Sequence, residues 1–277
     1  KMGPALHRVV ASDPTFHYHR DPETAQTILS GAGETHLNIV IERIKHFGAN
    51  VEAVPVKVPY RETIQTKAEG QGRHKKQSGG RGQFGDCWLR MEPNTGSGFE
   101  FVDAIVGGSV PRQYLPAIEK GIRQAMEGGI LAGYPVIDVK VTCYDGSYHT
   151  VDSSEAAFIM AGINGFHAVA EKARPSLLEP IIQVEVVVPE AMMGDVMSDL
   201  TNKRGRIVGT DSAGKGKTVL KANVPHAEML RYAIDLRSLS RGRGTFKTQP
   251  SHYEEVPAHI AQEIIANHKK EREAGEH

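Results

Sequence analysis

Apolar residues recur along this chain in two rhythms, one near 3.6 residues and one of two, which separate helices from strands. In the first segment Leu37, Val40, Ile41 and Ile44 share one helical face, predicting a helix over 34–47 that stops at Gly48. Residues 4–11 can form a short helix with Pro4 in its first turn. Residues 15–20 and 26–30 read as strands joined by Asp21-Pro22-Glu23, and 51–58 read as another strand. That order fits a βαββαβ sandwich whose first strand is missing or very short.

Further on, extended runs are predicted at 64–68, 83–91 and 99–105. Leu115, Ile118, Ile122 and Met126 form one stripe, predicting a helix over 114–126. The β-branched Val136, Val139 and Val141 predict a strand over 135–144. A long helix is expected over 153–173, capped by Asp152 or Ser153, with Glu155 in its first turn where the helix dipole favours a carboxylate. After Leu178-Glu179-Pro180 come a strand at 181–188, a helix at 191–203, strands at 206–209 and 218–224, a helix at 227–238 and a strand at 245–253. This is a complete βαββαβ unit, and a terminal helix starts at Pro257.

At 277 residues the chain has room for two or three domains. Its formal net charge of zero argues against a binder that is cationic all over, so any basic surface is local. There is no apolar run long enough to span a bilayer and no signal peptide at Lys1. Cys87 and Cys143 form no CxxC pair and sit in strand-like runs, as buried thiols of a reducing cytoplasm would. The opening Lys1-Met2-Gly3 falls inside a helical pattern, which suggests a fragment of a longer protein.

Two loops carry candidate chemistry. Gln77-Ser-Gly-Gly-Arg-Gly-Gln-Phe-Gly85 is glycine-rich and follows the basic run Arg73, His74, Lys75, Lys76. Glycines allow tight turns and close approach, and cations suit a phosphate-rich partner. Asp145-Gly-Ser-Tyr-His-Thr-Val-Asp-Ser-Ser-Glu155 is a polar turn that places His149 at the apex of a strand-to-helix connection. The two read as paired fingertips of a nucleic-acid probe, against the plain alternative of solvated turns.

Other motifs carry less. Gly80-Arg-Gly-Gln-Phe-Gly85 matches the dinucleotide pattern GxGxxG but leads into a strand, not a helix. Gly209-Thr-Asp-Ser-Ala-Gly-Lys-Gly216 is a near miss to a phosphate-binding loop, flanked by strands on both sides, and reads as a hairpin turn. His17 and His19 alternate on one strand without a third ligand at sensible spacing, and read as solvated histidines. Arg204, Arg206, Lys215, Lys217, Arg237, Arg241 and Arg243 give the last segment a basic bias of its own.

Several stretches closely resemble translational elongation factor G. They are Gln77–Gly85, Gly146–Glu155, Leu131-Ala-Gly-Tyr-Pro-Val136, Gly33-Glu-Thr-His-Leu37, Gly194–Leu200, Lys203-Arg-Gly205 and Leu236-Arg-Ser-Leu239. The resemblance implies the factor's carboxy-terminal portion. The implied fold is α+β and multidomain, with two ferredoxin-like βαββαβ sandwiches flanking an elongated α+β domain of the kind named for the second domain of a small-subunit ribosomal protein. It divides as 1–59 (domain III), 60–177 plus 257–277 (domain IV) and 178–256 (domain V). It implies a tip of domain IV that enters the decoding centre and contacts RNA through Gln77, Ser78, Gly79, Gly80, Arg81, Gly82, Gln83, Ser147, Tyr148 and His149, flanked by Arg73, Lys75 and Lys76.

The implied partners are the small-subunit decoding centre, the large-subunit GTPase-associated region and the tRNA–mRNA duplex, bound by a cytoplasmic monomer with no membrane contact. The resemblance implies no catalytic, metal or cofactor-binding residue in this chain, with GTP and magnesium held by an amino-terminal domain outside it. Thr35 and Thr248-Gln-Pro-Ser251 depart from the family's usual pattern. They leave open the principal translocase, a paralogue acting in recycling, and a ribosome-protection protein of the tetracycline-resistance kind; a free-standing RNA-binding module is the further alternative.

Overall fold

The computed structural model of the chain describes residues 2–77 and 82–275, with side chains as far as residue 270. The first segment holds helix α1 (Met2–Ser12), strands β1 (His17–Arg20) and β2 (Thr27–Ser30) and helix α2 (Glu34–His46). The middle holds β3 (Arg61–Ile64), β4 (Ala68–Lys76), β5 (Gln83–Pro93), β6 (Glu100–Asp103), α3 (Leu115–Gly128), β7 (Val139–Ser147) and α4 (Glu155–Ala170). The last holds β8 (Pro175–Pro189), α5 (Met193–Asn202), β9 (Arg206–Gly214), β10 (Lys217–Pro225), α6 (His226–Met229), α7 (Tyr232–Leu239), β11 (Thr245–Glu255) and α8 (Ala258–Gly275). The chain is α+β with several sheets, and it divides into two compact units: Lys1–Pro59 with Pro180–His252, and Tyr60–Glu179 with Tyr253–His277.

In the first unit α1 and α2 bury Leu6, Val9, Val40 and Ile44 around Phe16. Gly48 closes α2 with φ at 81°, a left-handed turn that glycine adopts without a Cβ clash. The strand expected over 51–58 does not pair. Pro55 has no N–H to give a ladder. The Gln26 side chain supplies the bonds instead: its Nε2 donates to the Pro55 carbonyl at 3.0 Å and its Oε1 accepts the Lys57 N–H at 2.8 Å. His17 and His19 are both exposed on β1.

The last segment forms the expected βαββαβ unit, with strand order β11-β8-β10-β9. Its core gathers Val184, Val186, Val188, Val196, Leu200, Leu220 and Tyr232. The helix expected over 227–238 is broken at Leu230-Arg231 into α6 and α7. The phosphate-loop lookalike at 209–216 is a hairpin, as expected: Gly214 pairs with Lys217, and Lys215 and Gly216 between them take φ of 52° and 70°. Two successive positive values are what a tight hairpin turn requires.

In the second unit the sheet order is β4-β5-β7-β6, antiparallel except for the parallel β6–β7 pair. Helices α3 and α4 pack on each other and, with the sheet, enclose Leu89, Met91, Ile118, Ile122, Val139, Val141, Phe158 and Phe166. The packing is close because glycines stand where main chains meet. A Cβ on Gly72 of β4 would strike the Ala161 carbonyl and the backbone of Gly165 on α4, and one on Gly85 would strike the Ala157 carbonyl. Gly121 and Gly162 do the same between α3 and α4. The glycine of the GxGxxG lookalike that lies among the described residues and ends the motif, Gly85, is thus a packing position inside β5.

One buried carboxylate organises the 130–134 turn. Glu62 on β3 is fully buried, and its side chain accepts four backbone N–H bonds: from Ile130 and Leu131 on Oε2, and from Ala132 (2.8 Å) and Tyr134 (3.1 Å) on Oε1. Its own backbone N–H donates to Pro135 and its carbonyl accepts from Ile137. The four donors call for an acceptor-only group, which an ionised carboxylate is.

Candidate nucleic-acid interface

The basic run, to which the sequence pattern assigned no element, is strand. Arg73, His74, Lys75 and Lys76 end β4, which pairs with β5 so that Arg73 faces Asp86, Lys75 faces Phe84 and Lys76 faces Gln83. Period-two alternation hides here because the inward positions are Gly70 and Gly72, which carry no apolar side chain. Arg73, Lys75 and Lys76 are exposed. The Arg73 guanidinium lies 5.7 Å from the Phe84 ring centroid, and Asn164 of α4 donates to the Arg73 carbonyl at 3.1 Å. His74 Nε2 donates to Gln83 Oε1 at 2.8 Å. Of the expected tip residues, Ser78, Gly79, Gly80 and Arg81 lie outside the described residues; Gln77 and Gly82 flank them.

The second loop follows β7 at the same end of the sheet, and the two are tied together. Asp152 Oδ1 accepts the Gly82 N–H at 3.1 Å, and the Asp152 carbonyl accepts the Phe84 N–H at 2.9 Å. Ser153 Oγ donates to the Phe84 carbonyl at 2.9 Å and accepts the His149 N–H at 2.9 Å. Asp152 and Ser153 therefore do not cap α4, as the sequence suggested. Ser154 does, accepting the Ala157 N–H at 3.2 Å. The two residues ahead of the cap are engaged in joining the loops.

His149 is held by its own turn. Its Nδ1 accepts the N–H groups of Val151 (3.2 Å) and Asp152 (3.1 Å). A nitrogen that accepts twice carries no proton, so the ring proton sits on Nε2 as a donor, and the ring is neutral in this arrangement. More than half of the side chain is exposed. Ser147 belongs to a second tie: Asp86, 6% exposed, accepts from Ser147 Oγ at 2.6 Å and from Gln71 Nε2 at 2.7 Å, linking β7, β5 and β4. Tyr148 stands exposed beside His149.

The described part of the surface thus offers a neutral imidazole donor, a phenol, exposed lysines and main-chain amides, without a nucleophile, a base and an orienting group in line. Among the described residues no group of three or more His, Cys, Asp or Glu side chains could hold a metal ion. No helix among them is long and apolar enough to cross a membrane. Both cysteines are free and buried; burial pushes the Cys87 thiol far up and the Cys143 thiol to about 12. They pack the core and take no part in this surface.

Comparison with known proteins decides the family. The model described as elongation factor G, domain III, matches residues 1–55; that for domain IV matches 56–174; that for the elongation factor G C-terminus matches 176–264. The chain belongs to the elongation factor G family. A crystal structure of a Thermus thermophilus protein superposes with a TM-score of 0.86 at 46% identity, covering 97% of this chain and 40% of that one. The chain therefore spans about two fifths of the length of that neighbour. Within the elongation factor G frame, both loops fall in the part matched as domain IV. Sequence reasoning had the loops but not their couplers, Asp86, Asp152 and Ser153. For Asp152 and Ser153 the advance signal was the Asp-Ser-Ser triplet, one residue longer than a cap needs; Asp86 had none.

Proposed function

We propose that this chain is the ribosome-contacting portion of a translational GTPase that promotes movement of tRNA and mRNA, and that the joined loops of its domain IV are the part that meets the RNA. The observation that carries this reading is the joining itself. Gly82 and Phe84 are hydrogen-bonded to Asp152 and Ser153, so Gln77, Gly82, Gln83, Tyr148 and His149 present one edge instead of two independent turns. A factor that must accept every codon and every tRNA needs contacts to backbone and shape, not to base edges. Main-chain amides, an exposed imidazole Nε2–H and the cations Lys75 and Lys76 supply such contacts.

The role of these residues is positional. They hold the RNA while it moves, and Arg73, Lys75, Lys76 and Arg81 supply charge to phosphates. In this reading GTP and magnesium are held by residues outside this chain; the segment 209–216 that resembles a phosphate loop is a hairpin between two strands. The partners in this reading are the small-subunit decoding centre, the tRNA–mRNA duplex and the large-subunit region that activates GTP hydrolysis. The factor acts in the cytoplasm as a monomer. In the longer protein, Arg81→Ala and His149→Ala should each slow tRNA–mRNA movement while ribosome-stimulated GTP hydrolysis stays near its original rate. Equal loss of both activities, or no change in movement, overturns the reading.

A further inference from the structure

Helices α3 and α4 cover one face of the second unit's sheet, and the opposite face carries rings and charges that run on from the loop edge. On β4 every second residue, Glu69, Gln71, Arg73 and Lys75, is exposed. On the adjoining β5 stands Trp88, the chain's single tryptophan, 37% exposed where a ring of that size is ordinarily well buried. On β7, Tyr144 stacks under Arg90, whose guanidinium is 5.0 Å from the ring centroid. Charge on this face is graded. Away from the loops the cations are matched: Arg90 Nε lies 2.5 Å from Glu69, and Lys67 lies 3.3 Å from Glu92. Toward the loops Arg73 and Lys75 have no carboxylate in ion-pair reach among the described residues.

We propose that this face is a stacking platform for unpaired bases of single-stranded RNA, continuous with the loop edge. The proposal rests on the reading of this unit as RNA-contacting. Rings on central strands of an open four-stranded sheet accept any base, because every base has a π face. Trp88 is one such ring and the Arg90–Tyr144 pair is a second. Arg73 and Lys75 flank them on the loop side, where phosphates of the same strand would lie. Asp145, directly opposite Trp88 on β7, disfavours a phosphate there and leaves the indole to a base. Glu69 is ion-paired with Arg90, and Asp86 is 6% exposed with its oxygens taken by Ser147 and Gln71, so neither offers an open carboxylate to the strand.

The sole tryptophan makes the test direct. The whole chain is titrated with a single-stranded oligouridylate and with a short RNA hairpin, reading Trp88 emission and the anisotropy of labelled RNA. The single strand should quench Trp88. Trp88→Ala should weaken its binding about 5- to 150-fold, as the loss of one base stack of about 1–3 kcal/mol implies. Trp88→Phe should retain most of the affinity, and the hairpin should bind both variants like the original. Arg73→Gln should lower the salt dependence by a slope of about one. Single-strand binding without quenching, or a Trp88→Ala change within twofold, overturns the platform while leaving the loop edge intact. Failure of both RNAs to bind overturns the platform and the loop reading together.

Discussion

Replacing Glu62 by Gln tests the account of the 130–134 turn with almost no change in volume. Oε2 takes the N–H groups of Ile130 and Leu131, and Oε1 takes those of Ala132 and Tyr134. In glutamine one oxygen becomes an NH2, so two N–H donors face a donor whichever way the amide turns. Each lost bond to a charged acceptor is worth about 1.5–3 kcal/mol, so the substitution should cost about 3–6 kcal/mol. Trp88 lies in the same unit and reports its unfolding. With a urea slope of about 2 kcal/mol per molar, the midpoint read from Trp88 emission should fall by about 1.5–3 M with the slope unchanged. In the folded state, hydrogen exchange at Ile130, Leu131, Ala132 and Tyr134 should accelerate. A midpoint shift below about 0.3 M, or unchanged protection of those four amides, would refute the four-bond account.

Gly72→Ala should destabilise the second unit by about 1–3 kcal/mol or more, since its Cβ meets main chain instead of a movable side chain; thermal unfolding followed by circular dichroism would show it. Asp13 is held at about 2 by hydrogen bonds from Thr15 and then from His36 Nε2, 2.6 Å away. Its folded value lies below the ordinary 3.8, so its contribution is complete above 3.8 and drains away as pH falls toward 2. The difference in stability between the original and Asp13→Asn should shrink across that window in an acid titration. Cys87 and Cys143 should be inert to a thiol reagent at neutral pH and react together once urea unfolds the unit, because burial holds both as thiols.

Periodicity was a good guide wherever apolar side chains supplied the contrast. The stripes on α2, α3 and the βαββαβ order of the last segment were readable because large apolar side chains, mostly Leu, Ile and Val, mark the inward face. Strand β4 was not readable, because its inward positions are glycines whose role is defined by a helix some ninety residues away in sequence. The missing pairing of 51–58 turns on Pro55 and on a glutamine side chain standing in for a neighbouring strand. At the candidate interface, glycine content and His149 singled out two loops that the fold brings to one end of the sheet. The bonds from Asp152 and Ser153 to residues 82–84 could not be seen, since spacing along the chain says nothing about which turns end side by side.

Side chains lying between a helix and a sheet act as springs, each with several rotameric lengths. Between α4 and strands β4 and β5, at Gly72 and Gly85, main chain bears directly on main chain and no rotatable bond intervenes. A displacement of the strands that carry Lys75, Gly82 and Gln83 must therefore move α4 as well, and with it the Asp152–Ser153 turn that leads into the helix. The two loops are geared: a load on one reaches the other through the helix as well as through the bonds at the edge, and neither can be pushed back alone.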